Sequence, residues 1–349
     1  MSFRHSFDVE KLVEYDNHHK VVFLNDSNIG LKGFIGIHRK NKKFPSFGAT
    51  RLWPYSSQLE AIKDVLRLSK LMSYKAAMAG LPYGGAKAVI SGSVPKSSAL
   101  LKAYAERVNL LEGLFITGSD IGLTQADVKT MSRTSPFMVG SKIDPTEFTG
   151  LGLFYGLEAA LREVFGEKDV TETNFAIAGL GKVGSEFLKL IYSDNSNQKI
   201  FVSDIDKDKV KSIEKRFPKV IAISPSKIHE QRVDVYSPCA MSGILNNKTI
   251  KELRCQIVLG GANNQLANDK AGELLYRSGI LYAPDYVVNA GGLISVVSEY
   301  ENKINKKLII NRVKMIKKTL GDIFVKSSKM RKSTDFIADS MARAKVDAY

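Results

Sequence analysis

The sequence predicts an α/β protein of two domains, the second built on a doubly wound parallel sheet. Three observations lead there. The chain has 349 residues, more than a single core usually holds, so two domains are the default. Beyond about Gly150, short apolar runs alternate with amphipathic runs of helical length, the pattern of a parallel sheet with helices on both faces. One glycine-rich turn, Gly179-Leu180-Gly181-Lys182-Val183-Gly184, stands between such a strand and such a helix. The expected division is an α/β domain over 1–140 and a doubly wound domain over 150–324. Helices over 325–349 have no strand partner left and are expected to pack back across the interdomain cleft onto the first domain.

Within the first domain, "HKVVFLNDSNIGLKGFIGIHR" reads as two strands joined by a turn around Asp26 to Gly30. "SQLEAIKDVLRLSKLMSYKAAMAG" is helical, with Leu59, Ile62, Leu66 and Leu68 to Leu71 on the packing side. "AKAVISGS" is a short strand, "SALLKAYAERVNLLEG" an amphipathic helix, and "LFITGSD" a strand ending in an acid. In the second domain, "GLGLFYGLEAALREVFG" is a helix stopped by Gly166. "NFAIAGLGKVGSEFLKLIYSD" runs strand, glycine turn, helix, and "KIFVSDIDKDKVKSIEKRF" strand then helix. "VDVYSPCA", "CQIVLGGAN" and "ILYAPDYVVNAGG" are short apolar strands ending in polar or glycine-rich loops.

Composition removes several classes of function. Hydrophobic residues make up 44% and charged ones 25%, an ordinary globular balance. No apolar run approaches the roughly 20 residues that cross a bilayer, and "MSFRHSFDVEKLVEYDNHHK" lacks a charged-then-apolar leader. A cytoplasmic protein with no membrane partner is expected. Cys239 and Cys255 are too few for a disulfide framework. The five scattered histidines give no zinc spacing, and no metal is expected. The net charge of +15 peaks over residues 303–332, with eleven Lys/Arg against Asp322 alone. There Val313, Ile316, Leu320, Ile323 and Phe324 recur at helical spacing, so the stretch is an amphipathic helix with a solvated basic face. No RNP aromatics or zinc fingers accompany it, and dedicated nucleic-acid binding is not expected.

The turn at 179–184 is GxGxxG in the right context, after the apolar strand Phe175 to Ala178 and at the opening of a helix. Gly179 permits the tight turn, Gly181 lets a pyrophosphate approach the backbone, and Gly184 lets helix and sheet pack closely. Lys182 and Val183 lie in the first turn of that helix, whose positive end attracts the pyrophosphate. Asp204, twenty residues after Gly184 at the end of the next strand, suits the ribose hydroxyls and repels a 2′-phosphate. NAD is expected over NADP, a preference that Lys207 and Lys209 soften.

A nicotinamide enzyme needs a second site that holds a substrate C–H against the cofactor. "MSYKAAMAGLPYGGAKAVI" supplies two lysines in an apolar, glycine-rich run, Lys75 and Lys87, and such charges are costly to bury without a task. One can pair with a substrate carboxylate; the other, crowded by that charge and by low-dielectric walls, is pushed toward its neutral form and can act as a base. Asp120, ending "FITGSD", is a candidate proton carrier. An NAD-binding regulatory protein without turnover is the alternative of another class, although a chain of that kind would usually have lost one of these charges.

From about residue 30 to its end the chain resembles the Glu/Leu/Phe/Val dehydrogenase family, most of all its leucine/valine/phenylalanine branch. The matching stretches, in the family's order, are "YKAAMAGLPYGGAK", "TGSDIG", "AGLGKVG", "SPCAM", "GGANNQLA" and "YAPDYVVNAGG". The resemblance implies oxidative deamination of an L-amino acid by NAD and water to a 2-oxo acid and ammonium, in a homo-oligomer built mainly through the amino-terminal domain. It implies that Lys75 binds the substrate carboxylate, Lys87 activates water and Asp120 moves protons to and from the substrate nitrogen. Asn289 would lie at the substrate, Asn263 and Thr149 near the nicotinamide, and Cys239 and Ala240 along the cofactor groove.

Glutamate users in the family carry a lysine in a motif resembling "KGGxR", where this chain has "SFGATR" with Phe47 in the lysine's place. An unpaired carboxylate against a phenyl ring is costly, so glutamate is not the expected substrate. The resemblance suggests Gly118, Leu293 and Val296 as further pocket residues, apolar or without a side chain. Gly118 makes room where leucine-type members have alanine, while Phe47 takes room away. A branched-chain amino acid is the first expectation and phenylalanine the alternative. Ala86, where the apolar branch more often shows glycine, resembles the glutamate branch instead.

Overall fold

The computed structural model describes residues 8–92 and 95–349; the first seven residues of the expected 1–140 domain lie outside them. The chain divides into two compact units, one running through Ile143 and joined by Ala342–Tyr349, the other Asp144–Met341. Of the segment 325–349 expected to return to the first domain, only Ala342–Tyr349 groups with it. The contacts explain this. Thr334 donates to the Tyr282 carbonyl at 2.6 Å and Tyr286 donates to Asp339 at 2.8 Å, within the second unit. Arg343 meets Asp16 at 3.0 Å and Lys345 donates to the Ala77 carbonyl, within the first.

The first unit contains β1 (Lys20–Asp26), β2 (Leu31–Ile37), β3 (Ser46–Trp53), α1 (Gln58–Met78), β4 (Gly84–Ser91), α2 (Ser98–Asn109), β5 (Phe115–Ser119) and α3 (Gln125–Met131). Its sheet runs β1-β2-β4-β3-β5. The β1–β2 hairpin and the β2–β4 pair are antiparallel, while β4, β3 and β5 are mutually parallel neighbours. Alternation along β4 separates two cores. Ala86, Ala88 and Ile90 pack with Leu101 and Tyr104 of α2, and Val89 packs with Ile62, Val65 and Leu66 of α1. Ser57 caps α1 by accepting from the Glu60 amide. Leu59, expected on the packing side of α1, is 36% exposed in the first turn, and Ala61 and Val65 take up the buried stripe instead.

Two histidines tie α1 to this sheet. His18 Nδ1 accepts from the Asp16 amide, which leaves Nε2–H to donate to the Leu66 carbonyl at 3.0 Å. His38 Nδ1 meets Ser73 Oγ at 2.9 Å, and its backbone N–H donates to the Gly85 carbonyl.

The second unit begins with α4 (Pro145–Phe165), capped by Asp144 and ended by Gly166 at φ +74°. Then follow β6 (Phe175–Ala178), α5 (Lys182–Ile191), β7 (Ile200–Ser203), α6 (Lys207–Arg216), β8 (Val220–Ala222), β9 (Val235–Pro238), α7 (Asn247–Glu252), β10 (Ile257–Val258), α8 (Ala271–Arg277) and β11 (Leu281–Tyr282). All its strand pairs are parallel, in the order β11-β10-β9-β6-β7-β8. Numbered from β6 this is the dinucleotide-fold order 3-2-1-4-5-6, in which the chain reverses direction between β6 and β9. The run "ILYAPDYVVNAGG" is not one strand. After β11, Pro284 turns the chain into the short helix α9 (Asp285–Val288), and the Asp285 carboxylate accepts from the Gln265 amide at 2.8 Å.

The unit closes with α10 (Gly291–Tyr300), α11 (Lys306–Met330) and α12 (Thr334–Val346), and the division between the units falls inside α12. The expected apolar stripe of α11, Val313 to Phe324, is buried, and α11 packs on α4. Among the described residues no helix is long and apolar enough to cross a membrane.

The buried histidines generate a pH prediction. Burial lowers His18 to about 4 and His38 to about 3, against 6.5 for a free imidazole. Protons taken up below pH 6.5 therefore favour the unfolded chain. Stability is full above pH 6.5 and falls as the pH drops toward 4, by up to about 1.4 kcal/mol per pH unit for each histidine. Urea midpoints measured from pH 7.5 to 4.5 should fall along this slope and flatten in a His18→Gln/His38→Asn double variant; a wild-type midpoint constant down to pH 5 contradicts the account.

Candidate active site

The first-unit site starts from one close approach of backbone to backbone. A Cβ on Gly85 would lie 1.9 Å from the Ser73 amide nitrogen of α1, so only glycine lets helix and strand meet there. Lys75 lies two residues beyond Ser73 on α1, and Lys87 two residues beyond Gly85 on the same face of β4. The spacing of "YKAAMAGLPYGGAK" thus has a steric origin: both lysines leave one rigid contact on neighbouring elements.

Strand register adds the acid. Ala49 of β3 stands opposite Gly118 of β5, and Thr50 stands opposite Ala88 of β4 and Ser119 of β5. The face carrying Lys87 therefore also carries Ala49 and Arg51, together with Gly118 and then Asp120, whose amide donates to the Thr50 carbonyl. The small residues Ala49 and Gly118 leave the three long side chains free to converge.

They converge on one oxygen. Lys87 Nζ lies 2.7 Å and Arg51 Nε 3.1 Å from Asp120 Oδ2. Lys87 is 6% exposed. Burial opposes ionisation of Asp120, yet Lys87 and Arg51 hold its carboxyl well below the usual carboxylate range. Asp120 is thus a charged neighbour in contact with Lys87. Sequence reasoning passes over Arg51 and what stands behind it. Arg51 Nη1 lies 2.9 Å from Asp64 Oδ2 of α1, and Asp64 also takes Tyr55 Oη at 2.6 Å and Arg67 Nη2 at 2.7 Å. The only sequence signal is the final arginine of "SFGATR", on the same strand face as Phe47 and Ala49.

Phe47 is 1% exposed and packs edge-on against Tyr83, with ring centroids 4.7 Å apart. The direction in which a Gly118 side chain would grow is bounded by backbone, because a Cβ there would lie 2.9 Å from the Val139 carbonyl oxygen. Room gained by the missing methyl is therefore limited by Val139. Ala86 belongs to the α2 core on the opposite face from Lys87, so its methyl does not touch the lysine site and says nothing about substrate.

In the second unit, Gly179 adopts φ +107°, and a Cβ there would strike Ala240 at 2.6 Å. A Cβ on Gly184 would lie 2.0 Å from the Gly179 carbonyl oxygen, whereas nothing lies within 4 Å of the Cβ position of Gly181. These are the three distinct glycine roles of a pyrophosphate loop. Gly181 caps α5, so the first-turn amides of Lys182 and Val183 are free of helix partners. Asp204 directly follows β7, its Oδ2 accepting from the Leu180 amide at 2.7 Å and its Oδ1 from the Asp206 amide at 2.9 Å. Cys239 and Ala240 follow β9 at the switch point. Cys239 Sγ accepts from the Gly261 amide, and burial pushes its thiol up. The residues fit a bound dinucleotide.

Asn289, which is buried, donates to Asn263 Oδ1 at 2.8 Å, and its own Oδ1 is buried without a hydrogen-bond partner. Such an orphaned acceptor is costly unless a ligand donates to it. Thr149 donates to the Pro145 carbonyl and packs against Gly292, at whose Cβ position its hydroxyl oxygen lies 2.7 Å away. Leu293 and Val296, three apart on α10, are half-buried beside the fully covered Ile294 and Val297.

Residues 140–347 match the family described as Glutamate/Leucine/Phenylalanine/Valine dehydrogenase, and residues 18–140 match the Glu/Leu/Phe/Val dehydrogenase dimerisation domain. The chain is 42% identical to an L-tryptophan dehydrogenase of Nostoc punctiforme, over 81% of this chain and 80% of the relative. It is 36% identical to a leucine dehydrogenase of Bacillus cereus over 97% and 93% of the two chains. A crystal structure of L-tryptophan dehydrogenase from Nostoc punctiforme superposes with a TM-score of 0.82 at 37% identity, covering 95% of this chain and 96% of that one. With both units matched and relatives of this identity along most of its length, the chain belongs to the Glu/Leu/Phe/Val dehydrogenase family and is an amino-acid dehydrogenase.

Proposed function

We propose that the chain catalyses NAD-dependent oxidative deamination of an apolar L-amino acid, leucine or another branched-chain substrate first, to the 2-oxo acid and ammonium. The observation that carries this reading is the Lys87–Asp120 pair, 2.7 Å apart, on a face that offers no cation at position 47. Lys75 pairs with the substrate carboxylate, and Asn289, whose Oδ1 is buried without a hydrogen-bond partner, is the substrate residue that the second unit supplies. NAD, when bound, supplies the hydride acceptor. The match of residues 18–140 to a dimerisation domain supports a homo-oligomer built through the first unit. A second reading, an aromatic amino acid, is favoured by the resemblance to a tryptophan dehydrogenase.

Asp120 first takes a proton from the substrate ammonium, so that loss of hydride from the α-carbon leaves an iminium ion, on which the residues then act. Neutral Lys87 takes a proton from water as the oxygen bonds to carbon, giving a carbinolamine and a lysine ammonium. Lys87 releases that proton to solvent, and Asp120 gives the carbinolamine nitrogen the proton it took from the substrate ammonium. The C–N bond breaks while Lys87 takes the hydroxyl proton, so the carbonyl forms and ammonia leaves. Ammonia removes the proton from Lys87 and departs as ammonium. Phe47 in the lysine's place disfavours glutamate, whose second carboxylate would lack a partner.

An NAD-reduction assay with leucine, valine, isoleucine, phenylalanine, tryptophan and glutamate tests the proposal. Apolar substrates should exceed glutamate in kcat/KM by at least about 100-fold. Tight NAD binding with no turnover of any of them would favour a regulatory binder instead.

The lysines should fail differently. Lys75→Ala should chiefly raise the amino-acid KM, because it removes binding common to ground and transition states; Lys87→Ala should chiefly lower kcat. The same pure KM effect in both would refute the division of labour.

Asp204→Ala should weaken NAD more than NADP, since ribose hydrogen bonds and a charge repulsive to the 2′-phosphate go together. A charged hydrogen bond of about 1.5–3 kcal/mol makes the expected fall in NAD/NADP preference roughly 10–100-fold. Equal losses for both cofactors, with Asp204 acting only on the Leu180 and Asp206 amides, would show that it does not bind ribose.

A further inference from the structure

We propose that Arg51 is a positioning residue for the proton carrier, selecting which oxygen of Asp120 exchanges protons with the substrate nitrogen. The inference rests on the deamination reading above. Lys87 Nζ and Arg51 Nε both engage Asp120 Oδ2, at 2.7 and 3.1 Å. With Oδ2 held by these two donors, Oδ1 is the oxygen that takes a proton from the substrate nitrogen and later returns the same proton to it. Without Arg51 the carboxylate is held by Lys87, one flexible contact, and by the Ile121 amide. Arg51 restrains its rotation further because it is itself pinned from the other side.

The pin is Asp64. It takes Arg51 Nη1 at 2.9 Å, while Tyr55 Oη and Arg67 Nη2 hold its oxygens at 2.6 and 2.7 Å. Arg51 and Asp64 are each about 15% exposed at the side chain, so the chain of contacts is not a solvated surface pair. A guanidinium is suited to the place. Its rigid fork presents Nε to one carboxylate and Nη1 to another, which a lysine's single nitrogen cannot do. The charged and titratable groups facing the cluster are Lys87 from β4, Arg51 from β3, Tyr55 from the loop after β3, and Asp64 and Arg67 from α1, with the Ile121 amide also supporting Asp120.

The test compares pH profiles of kcat, with the best apolar substrate, for wild type, Arg51→Gln, Arg51→Lys and Asp64→Asn. Arg51→Gln should lower kcat by about 100-fold, the low end of what a positioned proton carrier contributes, with amino-acid KM within about threefold. Its acid limb should also move to higher pH, because losing the positive charge of Arg51 raises the proton affinity of Asp120. Arg51→Lys should restore the limb but not kcat. Asp64→Asn, which keeps the arginine but loosens its anchor, should lower kcat about tenfold without moving the limb.

NAD binding by each variant, a property of the other unit, reports that the chain has folded. If Arg51→Gln binds NAD and keeps wild-type kcat and profile, or loses only KM, the proposal is overturned. A drop in kcat with an unmoved limb in Arg51→Gln also overturns it, since that is what a merely structural residue would give. If the wild-type chain oxidises no amino acid, the deamination reading itself has failed, a result distinct from any of these.

Discussion

The active face of the first unit depends on one steric constraint, the contact between the backbone of α1 at Ser73 and that of β4 at Gly85. Any side chain at residue 85 would overlap the helix backbone, so neither element has a softer alternative. The contact is reinforced on both sides by His38, whose ring meets Ser73 Oγ and whose amide donates to the Gly85 carbonyl. The backbone positions from which Lys75 and Lys87 project are therefore fixed by packing. That is the precision a site on rigid elements can reach. The arrangement uses neutral histidines, which links the integrity of the face to pH.

On this frame the charges are arranged for control more than for stability. Burying a carboxylate with two cations costs desolvation that mutual attraction only partly offsets. Asp120 nonetheless stays ionised between Lys87 and Arg51, and Asp64 is in contact with both Arg51 and Arg67. The result is an alternating row, Lys87–Asp120–Arg51–Asp64, running from strand to strand to helix. Each member restrains the next.

The second unit solves a different problem with the same residue type. Gly184 is required by closeness to the Gly179 carbonyl, Gly179 by its positive φ, and Gly181 by the open space it faces. Together they clear the N-terminus of α5 at the point where strand order reverses between β6 and β9, where anionic groups meet unpaired amides. Asp204 adds a second duty, because its oxygens hold the amides of Leu180 and Asp206. The glycine loop and Asp204 are one hydrogen-bonded unit.

The sequence by itself determined the features that are local in the chain. The glycine loop between strand and helix, the buried stripe of α11, the hairpin of β1 and β2, and the lysine pair in a glycine-rich run all rest on neighbours within a few turns, where periodicity and turn chemistry decide. Tertiary structure alone decided what depends on which strand lies beside which. Arg51 became visible only when β3 was found between β4 and β5, since register and not sequence distance brings it to Asp120. The same pairing turned Ala86 toward the α2 core, sealed Phe47 against Tyr83, and put the Val139 carbonyl where a Gly118 side chain would grow. The break of "ILYAPDYVVNAGG" into β11 and α9 is of this kind too, fixed by the Gln265 amide on Asp285. A period of two tells which side chains share a face, but only the packing of distant elements tells what that face meets.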